Sequence, residues 1–293
     1  MKGFGTDEQA LIRTLSRLDP LQTALLRQTY QQRHGRNLEA DITSETSGYF
    51  KEGLLAIVRG PLAQDVHNLN KAIAGAGTNE TVLNDVLLAR TNADMTAIKT
   101  AYHQKYHRSL ESDVRGDLSA KTERLFAMVL AGTRNEESAP VIPQQLEQDV
   151  TELHRATEGK VGTDQISVCA ILTKRSDGQI RAIAAAYEAK YRIPLERVIE
   201  KEFSGHMREA LVMIVQAGTD RAMRDARLLE ETMKGVGTKD DLLVNRVVRG
   251  HWDRGHMEQV KGAYRQRYKR ELRDRIKGDT RGDQERLLLA MIE

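Results

Sequence analysis

The chain has 293 residues, 40% of them apolar, and its 45 basic and 42 acidic side chains leave a formal net charge of only +3. No apolar run approaches the ~20 residues that a membrane-spanning helix needs, and the interspersed charges disfavour a dedicated nucleic-acid-binding protein, which usually carries a basic face. Cys169 has no second cysteine to pair with, so we expect a buried thiol in a reducing compartment. No secretory leader precedes the first motif, and a cytoplasmic location follows as an expectation.

Four copies of one short stretch recur along the chain. It reads MKGFGT at 1–6, and near copies are IAGAGT at 73–78, EGKVGT at 158–163 and MKGVGT at 233–238. A carboxylate follows the last residue of each copy by 39 residues at Glu45, Asp117 and Glu202, and by 41 at Asp279. A sequence that aligns with itself in this way predicts an array of repeats.

Each repeat is predicted to be almost wholly helical. In repeat two, Val82, Val86 and Leu87 have helical spacing after Thr78, a candidate N-cap. Turn residues end this helix near 90–94, a second helix carries Tyr102, and a third runs toward the acid. An apolar helix follows the acid, and one more amphipathic segment precedes each later glycine motif. About five helices per unit of roughly 70 residues form a small bundle, and we expect such bundles to stack in series.

The repeats share a register beyond the glycines, and this sets the expected domain boundaries. A tyrosine lies 15 residues before each acid, at Tyr30, Tyr102, Tyr187 and Tyr264. We expect repeat one over 1–60 without its leading helix, repeat two over 61–133, a proline-containing linker over 134–144, repeat three over 145–219 and repeat four over 220–293. Because repeat one starts inside its motif, a segment N-terminal to it is expected to be missing.

The glycine motif suits a hard cation. A Gly-x-Gly turn can curl so that several carbonyls converge, because glycine tolerates positive φ. Calcium accepts backbone carbonyls, water and a bidentate carboxylate in a flexible shell of oxygens. One carboxylate per loop keeps the negative charge low, so affinity for free calcium should be weak, and a phosphate oxygen could complete the shell. In an alternative interpretation the glycines only form turns between helices and the acids are helix N-caps. Because the glycine motif and the acid recur four times at a nearly fixed spacing, this alternative is disfavoured.

With these motifs the chain resembles the annexin family over its whole length. The family pattern, Met-Lys-Gly-x-Gly-Thr with an acid about 40 residues later, is complete in repeats one and four, and repeat two also fits. The resemblance implies an all-α fold of four repeats in a right-handed superhelical curved disc. It also implies Ca²⁺ as cofactor, an acidic phospholipid membrane as reversible partner, and no enzymatic activity. The implied metal-site residues are Met1, Gly3, Gly5, Glu45, Ile73, Gly75, Gly77, Asp117, Glu158, Lys160, Gly162, Glu202, Met233, Gly235, Gly237 and Asp279.

Some residues depart from the pattern or extend it. Lys160 replaces a motif glycine in repeat three, so sites one, two and four are the better matches. The resemblance places a membrane-contact residue at each loop tip: Phe4, Ala76, Val161 and Val236.

Two alternatives stay open. One is a calcium-independent helical-repeat scaffold that binds protein through its concave face and an unusual insertion that forms a loop around Trp252. The missing N-terminal segment is another possible contact for a protein partner. The other, less favoured, is an ion-conducting membrane protein, because Asp65, Asp85 and Arg90 match positions that line a polar passage in annexins. A structural ion-pair network is the preferred interpretation of those three residues.

Overall fold

The computed structural model describes residues 5–75, 77–118, 120–158 and 162–293, without the side chains of Asp117 and Ala120. Throughout these ranges the regular elements are helices. Those up to the start of repeat two are α1 (Glu8–Leu15), α2 (Pro20–His34), α3 (Leu38–Glu45) and α4 (Gly48–Ile73). Repeat two continues with α5 (Glu80–Leu87), α6 (Asn92–Tyr106), α7 (Leu110–Asp117) and α8 (Ala120–Leu130). Repeat three comprises α9 (Pro143–Thr157), α10 (Gln165–Lys174), α11 (Asp177–Tyr191), α12 (Leu195–Glu202) and α13 (Gly205–Thr219). Repeat four comprises α14 (Arg221–Met233), α15 (Asp240–His251), α16 (Arg254–Tyr268), α17 (Leu272–Asp279) and α18 (Gly282–Met291).

The predicted helical repeats are confirmed, and α4 joins two of the predicted helices. It changes direction at Gly60, whose φ of 77° is left-handed and which is followed by Pro61. Glycine takes this conformation without the cost that a Cβ would add. The part of α4 before Gly60 is therefore the last helix of repeat one, and the part after it is the leading helix of repeat two.

The helix after each glycine loop begins one residue later than the sequence suggested. The predicted N-cap was Thr78, but Asn79 is the N-cap, and its side chain accepts a hydrogen bond from the backbone N–H of Val82 at 3.2 Å. Asp7 and Asp164 occupy the same position in repeats one and three and also accept from the third residue beyond them. These side chains satisfy backbone donors that the first turn leaves without a partner.

The helices form two compact units that do not follow chain order. One unit contains residues 1–64 and 222–293, and the other contains residues 65–221. The predicted linker over 134–144 therefore lies inside the second unit. Arg134 is held there, because it donates to Asp177 at 2.5 Å and to the carbonyl of Arg175 at 3.1 Å. Each unit has its own apolar core, and the core of the first unit includes Leu54, Val247 and Leu288.

Largely buried ion pairs connect the turn after the second helix of a repeat to its leading helix in repeats two and three. Arg90 donates to Asp65 at 2.5 Å in repeat two, and Arg175 donates twice to Asp149 in repeat three, at 2.6 and 2.8 Å. The recurrence of the pair supports a structural role for Asp65 and Arg90, since an unpaired buried charge would be strongly destabilising. Asp85 also has a polar or electrostatic partner.

In repeat four Trp252 stands at the position of this arginine, because it is the C-cap of its helix as Arg175 is in repeat three, and a different pair forms. There Asp225 lies 2.6 Å from the ring of His256 and accepts from Arg224 at 2.7 Å. Burial alone would raise the pKa of Asp225, but the bonds to His256 and Arg224 outweigh it and lower the pKa to about 2. Asp225 and His256 therefore join two segments of repeat four, as the aspartate–arginine pairs do in repeats two and three, but with different side chains.

The expected insertion around Trp252 is not a projecting loop. The two extra residues of repeat four lie within helix α15, which has 12 residues where α10 has 10. Trp252 follows at the C-cap and packs, partly buried, against the core of its unit, and His251 is buried. This burial weakens the hypothesis of a partner site at Trp252.

Cys169 is free and buried, as predicted, and burial raises the pKa of its thiol to about 12. Among the helices of the described ranges, none combines the length and the apolar character that crossing a bilayer requires.

Candidate metal-binding loops

The second glycine of the motif is left-handed in all four loops. The φ angles are 89° at Gly5, 96° at Gly77, 85° at Gly162 and 82° at Gly237. An L-residue is strained in this conformation, so the sequence requires glycine here. In repeat four Gly235 is left-handed as well, with φ 100°, whereas Gly75 of repeat two has no positive φ.

In repeats two, three and four a backbone hydrogen bond joins the residue after the motif threonine to the preceding helix. The N–H of Lys239 donates to the carbonyl of Thr232 at 2.8 Å. The N–H of Asn79 donates to the carbonyl of Ala72 at 2.9 Å, and that of Asp164 to Ala156 at 2.8 Å. In each of these repeats the residue after the motif threonine is therefore held against the last turns of the preceding helix.

The distant acid lies beside the loop in repeats one, three and four, where the motif threonine connects the two. Thr6 Oγ1 donates to Glu45 Oε2 at 3.0 Å, and Thr163 Oγ1 donates to Glu202 Oε2 at 3.0 Å. In repeat four Thr238 Oγ1 donates to the backbone carbonyl of Asp279 at 3.2 Å. The threonine therefore binds the last turn of the acid-bearing helix and does not cap the helix that follows it.

The residues at loop four fit a hard cation. Asp279 Oδ2 is buried and has no hydrogen-bond partner. A buried polar oxygen without a partner destabilises the fold, and a bound cation would supply the missing partner. The carbonyl of Met233, one of the predicted ligands, already accepts a hydrogen bond from a positively charged group, Arg275 Nη2. Calcium is bound by carboxylate and carbonyl oxygens of this kind, which attract positive charge and still have an unused lone pair.

The acids differ in their basic neighbours, a difference that the motif did not predict. In repeat four, Arg275 donates to Asp279 Oδ1 at 2.9 Å. In repeat three, Lys201 lies 3.0 Å from Glu158 and 3.4 Å from Glu202, and its hydrogen bond to Glu158 raises the pKa of Lys201. In repeat one, no basic side chain of the described residues pairs with exposed Glu45.

The signal for Arg275 was present in the sequence at a position that the motif does not include. Four residues before each acid stand Asp41, Asp113, Val198 and Arg275. Only the last of these places a positive charge one helical turn before the acid, the spacing at which two side chains on a helix meet.

In repeats one and two the shared tyrosine hydrogen-bonds an aspartate on the helix that leads to the acid. Tyr30 donates to Asp41 at 2.5 Å, and Tyr102 donates to Asp113 at 2.8 Å. The hydrogen bond from Tyr30 holds the pKa of Asp41 below its usual range. In repeat four Tyr264 donates instead to Glu230, because the position of the aspartate is taken by Arg275.

Several predicted site residues lie outside the described ranges: Met1, Gly3, Phe4, Ala76, Lys160 and Val161. Asp117 is the last residue of α7, and its side chain is also outside the description, while Ile73 ends α4. Of the four loop-tip residues, Val236 is described and is fully exposed.

Comparison with known proteins identifies clear relatives. The annexin family model matches residues 1–57, 64–129, 148–214 and 224–291. Annexin C1 of Cryptococcus neoformans var. grubii is 44% identical over 296 residues, which cover 100% of this chain and 63% of that protein. The chain therefore spans less than two thirds of this relative. Annexin III superposes with a TM-score of 0.92 at 30% identity, covering 99% of this chain and 89% of annexin III. A calcium-bound structure of annexin (Sm)1 superposes with a TM-score of 0.88 at 25% identity, covering 99% and 86%.

Proposed function

Because the chain belongs to the annexin family, whose characteristic property is calcium-dependent phospholipid binding, we propose that it binds acidic phospholipid surfaces reversibly in the presence of calcium. The observation that carries this proposal is the repeated connection between glycine loop and distant acid, made by Thr6 to Glu45 and by Thr163 to Glu202. These bonds hold next to each other two segments that are 39 residues apart in sequence, which supports their proposed use as one donor set.

In this proposal, the loop carbonyls and the acid of each repeat hold the ion. Met233, Gly235, Gly237 and Asp279 would do so in repeat four, and the equivalent residues in repeats one to three. Bound Ca²⁺ would supply the positive charge that joins these oxygens to a lipid phosphoryl oxygen. A chain with a net charge of only +3 has little attraction of its own for an anionic leaflet.

The chain itself supplies rigidity and a surface contact. The left-handed glycines and the hydrogen bonds to the preceding helices restrict the backbone next to the proposed ligands, and such restriction would reduce the cost of ordering the carbonyls on binding. Fully exposed Val236 at the tip of loop four gives an apolar contact at the depth of the lipid headgroups. The other loop-tip residues, Phe4, Ala76 and Val161, are proposed to do the same.

Co-sedimentation with vesicles tests this proposal. The chain should pellet with phosphatidylserine vesicles at up to about 1 mM calcium, the range of weak calcium sites, and a chelator should release it. Phosphatidylcholine vesicles should not bind it. The variant E45Q/D117N/E202Q/D279N should lose calcium-dependent pelleting and keep its helix content by circular dichroism.

The control is E188Q/D274N, which removes two exposed carboxylates outside the loops and should pellet normally. Failure of the unaltered chain to pellet with phosphatidylserine at this calcium concentration would overturn the proposal. Pelleting that the chelator does not reverse would favour the scaffold alternative.

A further inference from the structure

The guanidinium of Arg275 lies inside the donor set of loop four. It donates through Nη1 to Asp279 Oδ1 at 2.9 Å, through Nη2 to the carbonyl of Met233, and through Nε to Glu230 Oε2 at 3.2 Å. Only 15% of the Arg275 side chain and 18% of the Asp279 side chain are exposed. The first two acceptors are a carboxylate and a loop carbonyl that we assign to the calcium site.

The Arg275 guanidinium therefore contacts the Asp279 carboxylate and the Met233 carbonyl, the same oxygens that a bound metal ion would contact. An arginine is charged at every physiological pH and presents several donors in a fixed plane. Its bonds to a carboxylate are charge-assisted, about twice as strong as neutral ones. The guanidinium therefore satisfies part of the negative potential that would otherwise attract a metal ion, although Asp279 Oδ2 remains without a partner.

We propose that Arg275 is an internal competitor for calcium at loop four, so that this loop fills only when the guanidinium releases Asp279 and the Met233 carbonyl. The inference rests on the proposed function, because it presumes that loop four binds calcium. In this inference Arg275 does not bind calcium, but it sets the calcium concentration at which loop four fills.

Glu230 gives the displaced guanidinium a second place to bind. It already accepts from Arg275 Nε, and it also accepts the hydroxyl of Tyr264, so it is fixed next to the loop. Its side chain is 19% exposed, which keeps its attraction for the guanidinium less screened than at the surface. Arg275 can move its Nη donors toward Glu230 while the Nε contact persists.

The test measures calcium binding to the full chain with loop four as the single complete site. In the background E45Q/D117N/E202Q, isothermal titration calorimetry with calcium compares Arg275 with R275Q. We expect R275Q to bind calcium about tenfold more tightly, because a competitor that occupies the site about nine-tenths of the time reduces apparent affinity tenfold. E230Q should change affinity in the opposite direction, since the guanidinium then has only loop four to bind.

The matched control is R273Q, two residues earlier on the same helix. Arg273 is 53% exposed and pairs with Glu293, away from the loop, so R273Q should leave calcium affinity unchanged. D279N in the R275Q background should abolish the gained binding.

A second readout separates competition from a purely structural ion pair. In chelator, R275Q should unfold at a lower temperature than its parent, and added calcium should raise its unfolding temperature by more than it raises that of the parent. A loss of stability with no change in calcium affinity would overturn the proposal and leave Arg275 as a structural residue.

Failure of the proposed function gives a different result. If the unaltered chain pellets with phosphatidylserine and calcium but R275Q has parental affinity, only the inference about Arg275 is wrong. If neither the unaltered chain nor R275Q binds calcium by calorimetry or sedimentation, both proposals are wrong.

Discussion

Loops one and four carry nearly the same motif, MKGFGT and MKGVGT, and their acids, Glu45 and Asp279, lie in the same compact unit, yet these two acids have different surroundings. Glu45 is exposed and accepts from Thr6. Asp279 is half-buried, gives Thr238 only its backbone carbonyl and pairs with Arg275. A match to the motif therefore does not predict how available a loop is to an ion. The residue one helical turn before the acid differs between the loops, and we infer that it sets this availability.

The largest expected effect concerns the two acids themselves. E45Q should raise the calcium needed for half-maximal binding to phosphatidylserine vesicles by about tenfold, because it removes the one carboxylate from a loop with no described competitor. D279N should raise it by less than about threefold, because loop four contributes less while Arg275 occupies it. Equal effects of the two substitutions in the sedimentation assay would contradict the difference between the loops.

Removing the competitor should make the two loops alike. In an R275Q background, D279N should raise the calcium requirement by about fivefold, close to the effect of E45Q. The cycle of R275Q, D279N and the double variant then measures how strongly the two residues interact, since neighbours that share one site are not additive. Additive effects would show that Arg275 and Asp279 act independently.

Loop three should respond much less to loss of its own basic neighbour. Lys201 is 64% exposed and lies near Glu158 and Glu202, and exposed pairs of this kind contribute little because water and salt screen them. K201Q should change the calcium requirement by less than about twofold. An effect as large as that of R275Q would mean that the burial of the basic side chain does not control the competition.

The smallest expected effect concerns the different tyrosine braces of repeats one and four. Asp41 accepts from Tyr30 and from Arg36 at 2.7 Å, and the bond from Tyr30 lowers the pKa of Asp41. A carboxyl with a lowered pKa in the folded state stabilises the fold above its unfolded pKa, and this contribution disappears as pH falls through the folded value. D41N should therefore lower the unfolding temperature slightly at pH 7 and have a smaller effect near pH 3.

Glu230 and Arg275 replace this brace in repeat four, so D41N should not change the calcium affinity of loop four. Calorimetry in the background that retains only loop four checks this, with R275Q as the positive control. A D41N penalty that is constant from pH 7 to pH 3 would contradict the role assigned to the ionised Asp41.

Much of the fold followed from local patterns in the sequence. The left-handed glycine, the capping residue beyond it and the apolar spacing after it are properties of neighbouring residues, so the helix starts after Thr78 and Thr163 could be placed to within one or two residues. The tyrosine register predicted equivalent helices in every repeat. The error at Trp252 arose because the two-residue excess of repeat four suggested an insertion outside the helices, whereas helix α15 accommodates the extra residues and buries His251.

The sequence by itself determined that the chain has four helical repeats and that each contains a glycine loop and an acid. The motif, its spacing from the acid and the helical period can all be read from the order of residues. Only the tertiary structure decided which residues share a compact unit, and which side chains surround each acid. Arg275 lies 42 residues after Met233 along the chain, and its contact with the Met233 carbonyl exists only when α17 packs beside the end of α14. Long-range contacts of this kind depend on the packing of several helices at once, and no local pattern encodes them.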